Sequence, residues 1–381
     1  MRILVINPGS TSTKMAVFDD EKPILLRNIT HSADELSKYG DVTEQQDFRR
    51  QLVLDELEKS GIPIDFDAVI GRGGLVKPLS GGVYEINDRM LGDTLHGCVM
   101  HNHACNLGCL IAYEIATAIN KANTQKPNTQ HPTPITQHPT PNTQKPRCRS
   151  FIADPGVVDE LSPLARISGS PLMPRICIWH ALNQRAIARR YARGIGREYE
   201  DLNLIICHLG GGISVAAHEK GRAIDANNAL DGEGPFSPER AGSLPAADLI
   251  RLCFSGKYSE KQLLKRIAGK AGLNAHLGTN DMREIMKRIE QGDEHARLIV
   301  DAMLYHVAKN IAAEAAVLCG NIDAILLTGG IAHSDYVVSE LRRRVGFLAP
   351  VYVFPGEDEM EALALNALAV LKGERQAKVY D

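Results

Sequence analysis

The chain has 381 residues, of which 44% are hydrophobic and 23% charged, and its formal net charge is -3. This length predicts two domains, and the composition is that of an ordinary soluble globular protein. The charge balance gives no reason to expect a nucleic-acid or membrane-surface partner. No apolar run approaches the roughly 20 residues that span a bilayer, and the N-terminus does not resemble a signal peptide. Eight cysteines without C-x-x-C spacing suit reduced thiols in a cytoplasmic protein.

Apolar runs in the first half of the chain predict short buried strands. These runs lie at residues 3–6, 14–18, 67–70 and 151–154. Apolar residues at helical spacing predict one helix over residues 104–120. The strands are followed by polar or glycine-containing turns, so the chain changes direction where each apolar run stops.

The second half of the chain repeats this alternation. Strands are predicted at residues 202–207, 213–217, 324–327 and 351–354. Helices are predicted at residues 180–193, at 304–318, and in a last segment that begins near Glu357. Strands that alternate with helices indicate an α/β fold. The order strand, glycine-containing turn, strand occurs at 3–18 and again at 204–217, which a duplicated core would explain.

Residues 121–149 do not follow this pattern. They contain a degenerate five-residue repeat, N-T-Q-K-P, N-T-Q-H-P and I-T-Q-H-P. Proline in every repeat and the near absence of apolar residues predict a mobile, partly extended loop. The loop enters the strand at 151–154 from its amino end, about 13–16 Å from the carboxyl end. We therefore expect the loop to leave chemistry at that end intact, although a docking segment for a Pro-binding partner is an alternative.

Three turns that follow predicted strands are candidates for binding phosphate. The first, N-P-G-S-T-S-T-K at residues 7–14, lacks the Walker order G-x-x-x-x-G-K-[ST], and no G-x-G-x-x-G opens a helix anywhere in the chain. Small and hydroxyl residues there let backbone and side chains approach phosphate oxygens. The other two turns are H-L-G-G-G at 208–212 and T-G-G at 328–330. Each could be a solvated turn, but ligands bind beyond the carboxyl ends of strands in open α/β sheets.

Several charged residues are further candidates. Arg72 and Arg240 lie beside small residues, where a planar guanidinium can reach a carboxylate or phosphate; a surface arginine is the alternative for both. Asp154 ends a buried strand, where a carboxylate needs a partner. Acidic residues at 357–359 are favoured at a helix start in any case. Residues 96–105 hold three His and two Cys, but their spacing matches no common structural zinc site.

Taken in order, short strings along nearly the whole chain except the repeat resemble the acetate/butyrate kinase family. The strings are V-I-N-P-G-S-T-S-T-K, G-R-G-G-L-V-K-P, N-L-G-C-L-I-A-Y-E-I-A, F-I-A-D-P-G-V-V-D-E, A-R-I-S-G, W-H-A-L-N-Q, H-L-G-G-G-I-S-V-A-A-H, D-G-E-G-P-F-S-P-E-R-A-G-S-L-P, L-T-G-G-I-A-H-S and P-G-E-D-E-M-E-A-L-A.

The resemblance implies an α/β fold of two duplicated actin-like (ASKHA, ribonuclease H-like) domains with an interdomain cleft. Its domains would cover residues 1–175, with 362–381 as a candidate to pack back on them, and residues 176–361. It also implies a homodimer or higher homo-oligomer. The implied reaction is reversible, direct phosphoryl transfer between ATP and butyrate or a related short or branched carboxylate, giving ADP and an acyl phosphate, with Mg²⁺.

The resemblance also assigns roles to residues. Phosphates and Mg²⁺ would be bound by Asn7, Ser10, Ser12 and Lys14, with Glu359 beside the metal. The β/γ-phosphate loop would be His208, Gly210, Gly211 and Gly212, and the adenosine loop Gly329, Gly330 and Ile331. Catalysis would fall to Arg72, Asp154, His180 and Arg240: the arginines grip the carboxylate and phosphoryl group, His180 stabilises the transition state, and Asp154 lies near the nucleophile and metal.

The chain-length preference rests on one local difference. Acetate kinases typically have R-V-V-H where this chain has R-G-G-L at residues 72–75. Glycines in place of valines should leave room beside Arg72 for extra methylenes. Discrimination would be graded, because one buried methylene is worth about 0.8 kcal/mol. Acetate or propionate kinase is the alternative within the class, and an ATP-binding module without transfer activity is the alternative from another class.

Overall fold

The computed structural model describes residues 1–97, 99–124 and 148–381. The chain forms two compact units. The first comprises Met1–Lys77, Gly82–Pro155 and Glu359–Asp381, and the second comprises Pro78–Gly81 and Gly156–Asp358. Residues 156–175 thus cluster with the second unit and the last helix with the first. The domain limits inferred from the resemblance stay a prediction.

The strands, in chain order, are β1 (Arg2–Pro8), β2 (Ser12–Asp19), β3 (Lys22–Thr30), β4 (Ala68–Arg72), β5 (Val83–Glu85), β6 (Arg149–Ala153), β7 (Asn203–Leu209), β8 (Ile213–Glu219), β9 (Arg222–Ala226), β10 (Ala324–Gly329) and β11 (Val351–Pro355). The α-helices are α1 (Ala33–Leu36), α2 (Gln46–Lys59), α3 (Asp88–Leu95), α4 (Leu107–Thr124), α5 (Pro163–Arg166), α6 (Ala181–Gly194), α7 (Ala246–Cys253), α8 (Glu260–Ile267), α9 (Gly272–Leu277), α10 (Met282–Glu290), α11 (Glu294–Val317), α12 (Asp335–Val345) and α13 (Glu359–Leu371). Short 3-10 helices lie at Thr43–Gln45, Ala104–Asn106, Tyr199–Asp201 and Gly330–His333.

The sheet of the first unit has the strand order β3-β2-β1-β4-β6-β5 within the described residues. Strands β1, β2 and β3 form an antiparallel meander, whereas β1, β4 and β6 run parallel. Residues of β1, β4 and β6 are buried on both faces, as expected for strands covered by helices on each side. Helices α4 and α13 both pack on these central strands. The parallel arrangement brings the carboxyl ends of β1, β4 and β6 to one edge.

The second unit repeats this topology. Its strand order is β11-β10-β7-β8-β9, with β7, β8 and β9 antiparallel and β10 parallel to β7. Both meanders also carry a register shift at the same place, between residues 17 and 18 and between residues 217 and 218. A long helix, α11, packs on β8. The duplicated core predicted from the sequence echo is therefore confirmed.

Element limits differ from the predictions at several places. Helix α4 begins after a 3-10 turn and continues to Thr124, so the first four residues of the low-complexity segment are helical. Strand β6 already includes Arg149. The mobile loop predicted from the repeat covers 121–149, and the part of it at 125–147 lies outside the described residues. Helix α13 begins at Glu359 and excludes the two preceding acidic residues. In the described part of the chain, no helix is long and apolar enough to cross a membrane.

Candidate active site

The opening loop joins β1 to β2 at the carboxyl end of β1. Its turn is closed by the backbone of Gly9, whose N–H donates to the carbonyl of Ser12 at 2.7 Å. Ser10 lies exposed at the tip. Lys14 is paired directly with Asn7 in the antiparallel ladder, so both side chains project from the same face of the sheet. The loop is thus a tight turn that pairs a strand residue with an exposed lysine, Lys14, opposite the buried Asn7.

A buried arginine holds this loop, and the sequence analysis missed it. Arg49 is fully buried on α2. Its guanidinium donates to the carbonyls of Gly9 at 2.9 Å and Ser12 at 3.0 Å, and to Thr13 Oγ1 at 3.1 Å. Gln45 Oε1 accepts from Nε and Nη2. Among the described residues no carboxylate forms an ion pair with Arg49, and burial lowers its pKa. Spacing could have indicated it, because residues 49, 53 and 57 share the buried face of α2.

Asn7, Arg72 and Glu359 come together in the first unit. Asn7 Nδ2 donates to Glu359 Oε2 at 2.7 Å, and Arg72 Nη1 donates to the same oxygen at 2.9 Å. Glu359 is buried although it is charged, and the two donors offset the loss of hydration. The resemblance assigned Asn7 and Glu359 to Mg²⁺ and Arg72 to the carboxylate, and the structure places all three within hydrogen-bonding distance.

The position of Arg72 depends on a close contact between two glycines. A Cβ on Gly71 would overlap the carbonyl of Gly108 in α4, and a Cβ on Gly108 would overlap the carbonyl of Arg72. Helix α4 therefore packs against the end of β4 at backbone distance. The carboxyl end of β4 is fixed by this contact, and with it the origin of the Arg72 side chain.

Asp154 lies at the carboxyl end of β6, next to the end of β4. Arg72 is paired with Ala153 in the parallel ladder, so Asp154 follows directly beyond that pair. Asp154 is buried and has a φ of 38°, an unusual value for a residue with a side chain. Its Oδ1 accepts from the N–H of Gly82 at 2.7 Å, and its own N–H donates to the Gly82 carbonyl at 2.9 Å. The N–H of Gly82 is thus one partner of the buried carboxylate, and the backbone bond fixes the position of the residue.

In the second unit, His180 and His208 stack on each other. Their ring centroids are 3.9 Å apart and their planes differ by 15°. His180 precedes α6, and His208 lies near the end of β7. His208 Nδ1 is 3.0 Å from Asn183 Oδ1, and His208 Nε2 is 3.2 Å from Glu357 Oε1. Glu357, predicted to open the last helix, lies before that helix and contacts His208.

The glycine loop 210–212 is held by the segment that carries Arg240. Ser237 Oγ donates to the carbonyl of Gly211 at 2.7 Å. The N–H of Gly210 donates to the carbonyl of Gly212 at 3.1 Å. A Cβ on Gly212 would overlap Nη1 of Arg240, which donates to the carbonyl of Ala229 at 2.7 Å. Burial lowers the pKa of Arg240. Gly212 is therefore required so that the guanidinium can lie against the loop.

The third predicted loop follows β10. Gly329 has a φ of 93°, and a Cβ there would overlap the backbone of Leu209. Its backbone exchanges two hydrogen bonds with Gly356, at 3.0 and 3.1 Å. Gly330 opens the 3-10 helix and has no atom within 4 Å of where a Cβ would lie, whereas Ile331 is buried. Thus Gly329 serves close packing, and Gly330 leaves accessible backbone.

Comparison with known proteins adds relatives that match along the whole chain. A probable butyrate kinase of Bacteroides thetaiotaomicron is 60% identical over 380 residues, which cover 100% of both chains. The chain belongs to the acetokinase family. The model of that family matches residues 176–349. A probable butyrate kinase of Phocaeicola vulgatus is 53% identical, with 100% of this chain and 99% of the relative covered.

Solved structures agree with this assignment at the level of the fold. The acetate kinase of Porphyromonas gingivalis is 19% identical, has a TM-score of 0.73, and covers 97% of this chain and 99% of its own. The acetate kinase of Entamoeba histolytica is 16% identical with a TM-score of 0.70, covering 98% of this chain and 99% of its own. The predicted two-domain actin-like fold of the acetokinase family is therefore confirmed.

The glycines after Arg72 do not create the space expected from them. A Cβ on Gly73 would lie 2.6 Å from Cβ of Pro155, and one on Gly74 would lie 2.6 Å from Cα and Oδ1 of Asn106. Neighbouring groups already fill the volume that valine side chains would occupy. The inference that these glycines leave room for a longer acid is wrong for this position, because the glycines serve close packing.

Two members of the His/Cys cluster contact each other. His103 Nδ1 accepts from the N–H of Cys105 at 3.2 Å, and it lies 3.1 Å from Cys105 Sγ. Burial raises the pKa of Cys105 to about 11, so its thiol stays protonated at neutral pH. Among residues 1–97, 99–124 and 148–381 no group of three His, Cys, Asp or Glu could hold a metal ion.

Proposed function

We propose that this chain transfers the γ-phosphoryl group of ATP reversibly to butyrate, or to a related short or branched carboxylate, and forms ADP and an acyl phosphate. The observation that carries the proposal is the 60% identity along the full chain with a relative named probable butyrate kinase. Membership of the acetokinase family makes the chain a phosphotransferase that acts on carboxylates. Acetate or propionate is the alternative substrate.

The chemistry fits the residues that the two units provide. A carboxylate is already a nucleophile at neutral pH, so the reaction needs no strong general base. The obstacle is the repulsion between two anions as the carboxylate oxygen approaches phosphorus in line with the leaving ADP oxygen. Fixed positive charges and hydrogen-bond donors lower this barrier, because the charge spreads over the phosphoryl oxygens in the transition state.

The first unit supplies groups for the acid and the metal. Arg72 is held at the end of β4 by Glu359, and its guanidinium would bind the carboxylate of the substrate. Asp154, fixed by backbone bonds to Gly82, would orient groups near the nucleophile. Ser10, Ser12 and Lys14 would bind phosphate oxygens.

Mg²⁺ fits the chemistry of the donors in this unit. Glu359 offers carboxylate oxygens and Asn7 an amide oxygen, both hard ligands of the type that Mg²⁺ takes alongside substrate phosphates and water. When bound, Mg²⁺ would neutralise phosphate charge and orient the phosphate chain. The two protein oxygens would then be its anchoring ligands.

The second unit supplies groups for the nucleotide and the transferring phosphoryl group. The backbone of Gly210, Gly211 and Gly212 and the side chain of His208 would bind the β- and γ-phosphates of ATP or ADP. Arg240 and His180 would donate to the transferring group, and the loop at 329–331 would take the adenosine.

The proposal also covers the compartment, the oligomeric state and the domain limits of the protein. We infer a cytoplasmic, homodimeric or larger assembly with domains at 1–175 plus 362–381 and at 176–361. The cysteines of the described residues are free thiols, which supports a reducing compartment. Exposed apolar side chains on and after α5, such as Leu164, Ile167 and Leu172, support burial against another copy.

An acyl-hydroxamate assay tests the function directly. Purified protein, ATP and Mg²⁺ are incubated with hydroxylamine and acetate, propionate, butyrate, isobutyrate or valerate, and trapped acyl phosphate is measured. We expect the highest kcat/KM with butyrate or isobutyrate, changing about fourfold per methylene. Arg240→Ala should abolish product, whereas Arg251→Ala, which removes an exposed arginine paired with Asp248, should not. If none of the acids gives an acyl hydroxamate, the proposal is overturned. A preference for acetate or propionate would favour the alternative.

A further inference from the structure

A buried chain of hydrogen bonds leads from the core of the second unit to His180. His180 Nδ1 is 2.8 Å from Ser214 Oγ. The same oxygen accepts from the backbone N–H of His180 at 3.3 Å and from Gln184 Nε2 at 2.9 Å. Ser214 and Gln184 are fully buried, so water does not compete for these bonds.

The direction of the chain is set by one backbone carbonyl. Gln184 Nε2 is 3.2 Å from the carbonyl oxygen of Ser214, a group that only accepts hydrogen bonds. The amide nitrogen of Gln184 therefore faces Ser214, and its Oε1 faces away, 2.9 Å from His218 Nε2. Because Oε1 only accepts, His218 carries a proton on Nε2.

The outer end of the chain agrees with this direction. Burial, together with the charges of Arg185 and Arg189, lowers the pKa of His218 to about 3, so its ring is neutral at physiological pH. With the proton on Nε2, Nδ1 accepts from the hydroxyl of Tyr199 at 2.7 Å. Each group between Tyr199 and Ser214 thus has one consistent donor and acceptor assignment.

These bonds determine which ring nitrogen of His180 carries the proton. Two N–H groups occupy the acceptor positions of Ser214 Oγ, so its single hydroxyl proton points to His180 Nδ1. We propose that Ser214, Gln184 and His218 are positioning residues that hold neutral His180 in the tautomer with the proton on Nε2. His180 then presents an N–H donor to the transferring phosphoryl group. This part of the inference rests on the role of His180 in the proposed function.

The neighbouring ring of His208 does not reverse this assignment. His208 stacks on its face, so the two rings exchange no in-plane hydrogen bond. The carboxylate of Glu357 lies beyond His208, at Nε2 of that ring. Asn183 Oδ1, which is near His208 Nδ1, also accepts from Thr328 Oγ1 at 3.2 Å. A second oriented network thus holds the neighbouring ring.

Ring ¹⁵N NMR on histidine-labelled full-length protein tests the proposal, with His180→Ala used to assign the signal. In the wild type we expect neutral His180 to have a protonated Nε2 and an unprotonated Nδ1. Ser214→Ala should give averaged tautomers and about a tenfold or greater loss of kcat with little change in KM. Ser214→Thr keeps the hydroxyl and should restore the wild-type tautomer. Ser150→Ala, which truncates another buried serine in the first unit, should change neither readout.

The outcomes separate this proposal from the proposed function. A wild-type His180 with its proton on Nδ1 overturns the proposal, and this measurement needs no variant to fold and no turnover. Ser214→Ala that keeps the wild-type tautomer and kcat also overturns it. Failure of the hydroxamate assay would overturn the function but would leave the tautomer result as measured.

Discussion

Replacement of Arg49 by methionine tests whether the opening loop depends on the buried guanidinium beneath it. Methionine preserves most of the side-chain length and removes the charge and the donors. Ser12 O keeps its bond from Gly9 N, and Thr13 Oγ1 keeps its contact with His31 Nε2 at 2.9 Å. The carbonyl of Gly9 and the Gln45 amide oxygen lose their donors. Each unsatisfied buried group costs about 1–3 kcal/mol. Part of this cost is offset because the variant no longer buries an unpaired cation. We expect a net loss of about 2–3 kcal/mol of unfolding free energy.

The same change should weaken ATP binding, because Arg49 fixes the carbonyls of Gly9 and Ser12 and so holds the proposed phosphate loop in one conformation. We expect KM for ATP to rise about tenfold, which corresponds to about 1.4 kcal/mol. Urea denaturation and initial rates measure the two effects. Arg50→Met is the matched control: it removes the next residue of α2, a partly exposed arginine paired with Glu114 at 2.6 Å, and should cost no more than about 1 kcal/mol. If Arg49→Met matches Arg50→Met in both measurements, the reasoning is refuted.

Two further predictions follow from the second unit. Gly212→Ala should displace Arg240 and lower kcat about a hundredfold, measured with saturating butyrate. Gly169→Ala is the control, because no atom lies within 4 Å of its added Cβ, and it should leave kcat unchanged. Equal kcat values for the two variants would contradict the proposed contact. His218, whose pKa falls from 6.5 to about 3 on folding, gives a stability contribution that is complete above pH 6.5 and is lost as the pH falls towards 3. The unfolding free energy of the wild type should therefore decrease relative to that of His218→Gln below pH 6.5, by up to about 1.4 kcal/mol per pH unit, and parallel urea-derived curves would contradict this.

The sequence predicted the central strands well because their apolar runs are buried on both faces. Edge strand β3 was missed because its apolar run, P-I-L-L at residues 23–26, is short, and Leu25 is the one residue of the strand that is buried. Helices α7 and α8 were missed for a similar reason: α7 buries no residue and α8 buries Leu263. Local pattern reveals structure where burial is continuous, and it weakens where an element covers a surface.

The site shows the same limit in a different form. Asn7, Arg72 and Asp154 were recognisable because each ends a buried strand. Arg49 was not recognised, since a charged residue within a helix is ordinarily solvated, and its spacing with Val53 and Leu57 is a weak signal until its contacts are known. The glycines at 73 and 74 show the converse: a missing side chain indicates free volume only if no neighbour fills it. Such facts depend on residues far apart in the sequence.

Helix α13 has a consequence for the order in which the protein is made. Its first residue, Glu359, accepts from Asn7 and Arg72, which are 352 and 287 positions away along the chain. The ribosome therefore synthesises all of the second unit before this cluster can form. Residues 156–358 emerge as one continuous stretch. During that time strands β1 and β4 of the first unit lack α13, the helix that packs on them. We expect nascent chains that lack α13 to expose apolar sheet surface, and therefore to be the species that chaperones bind.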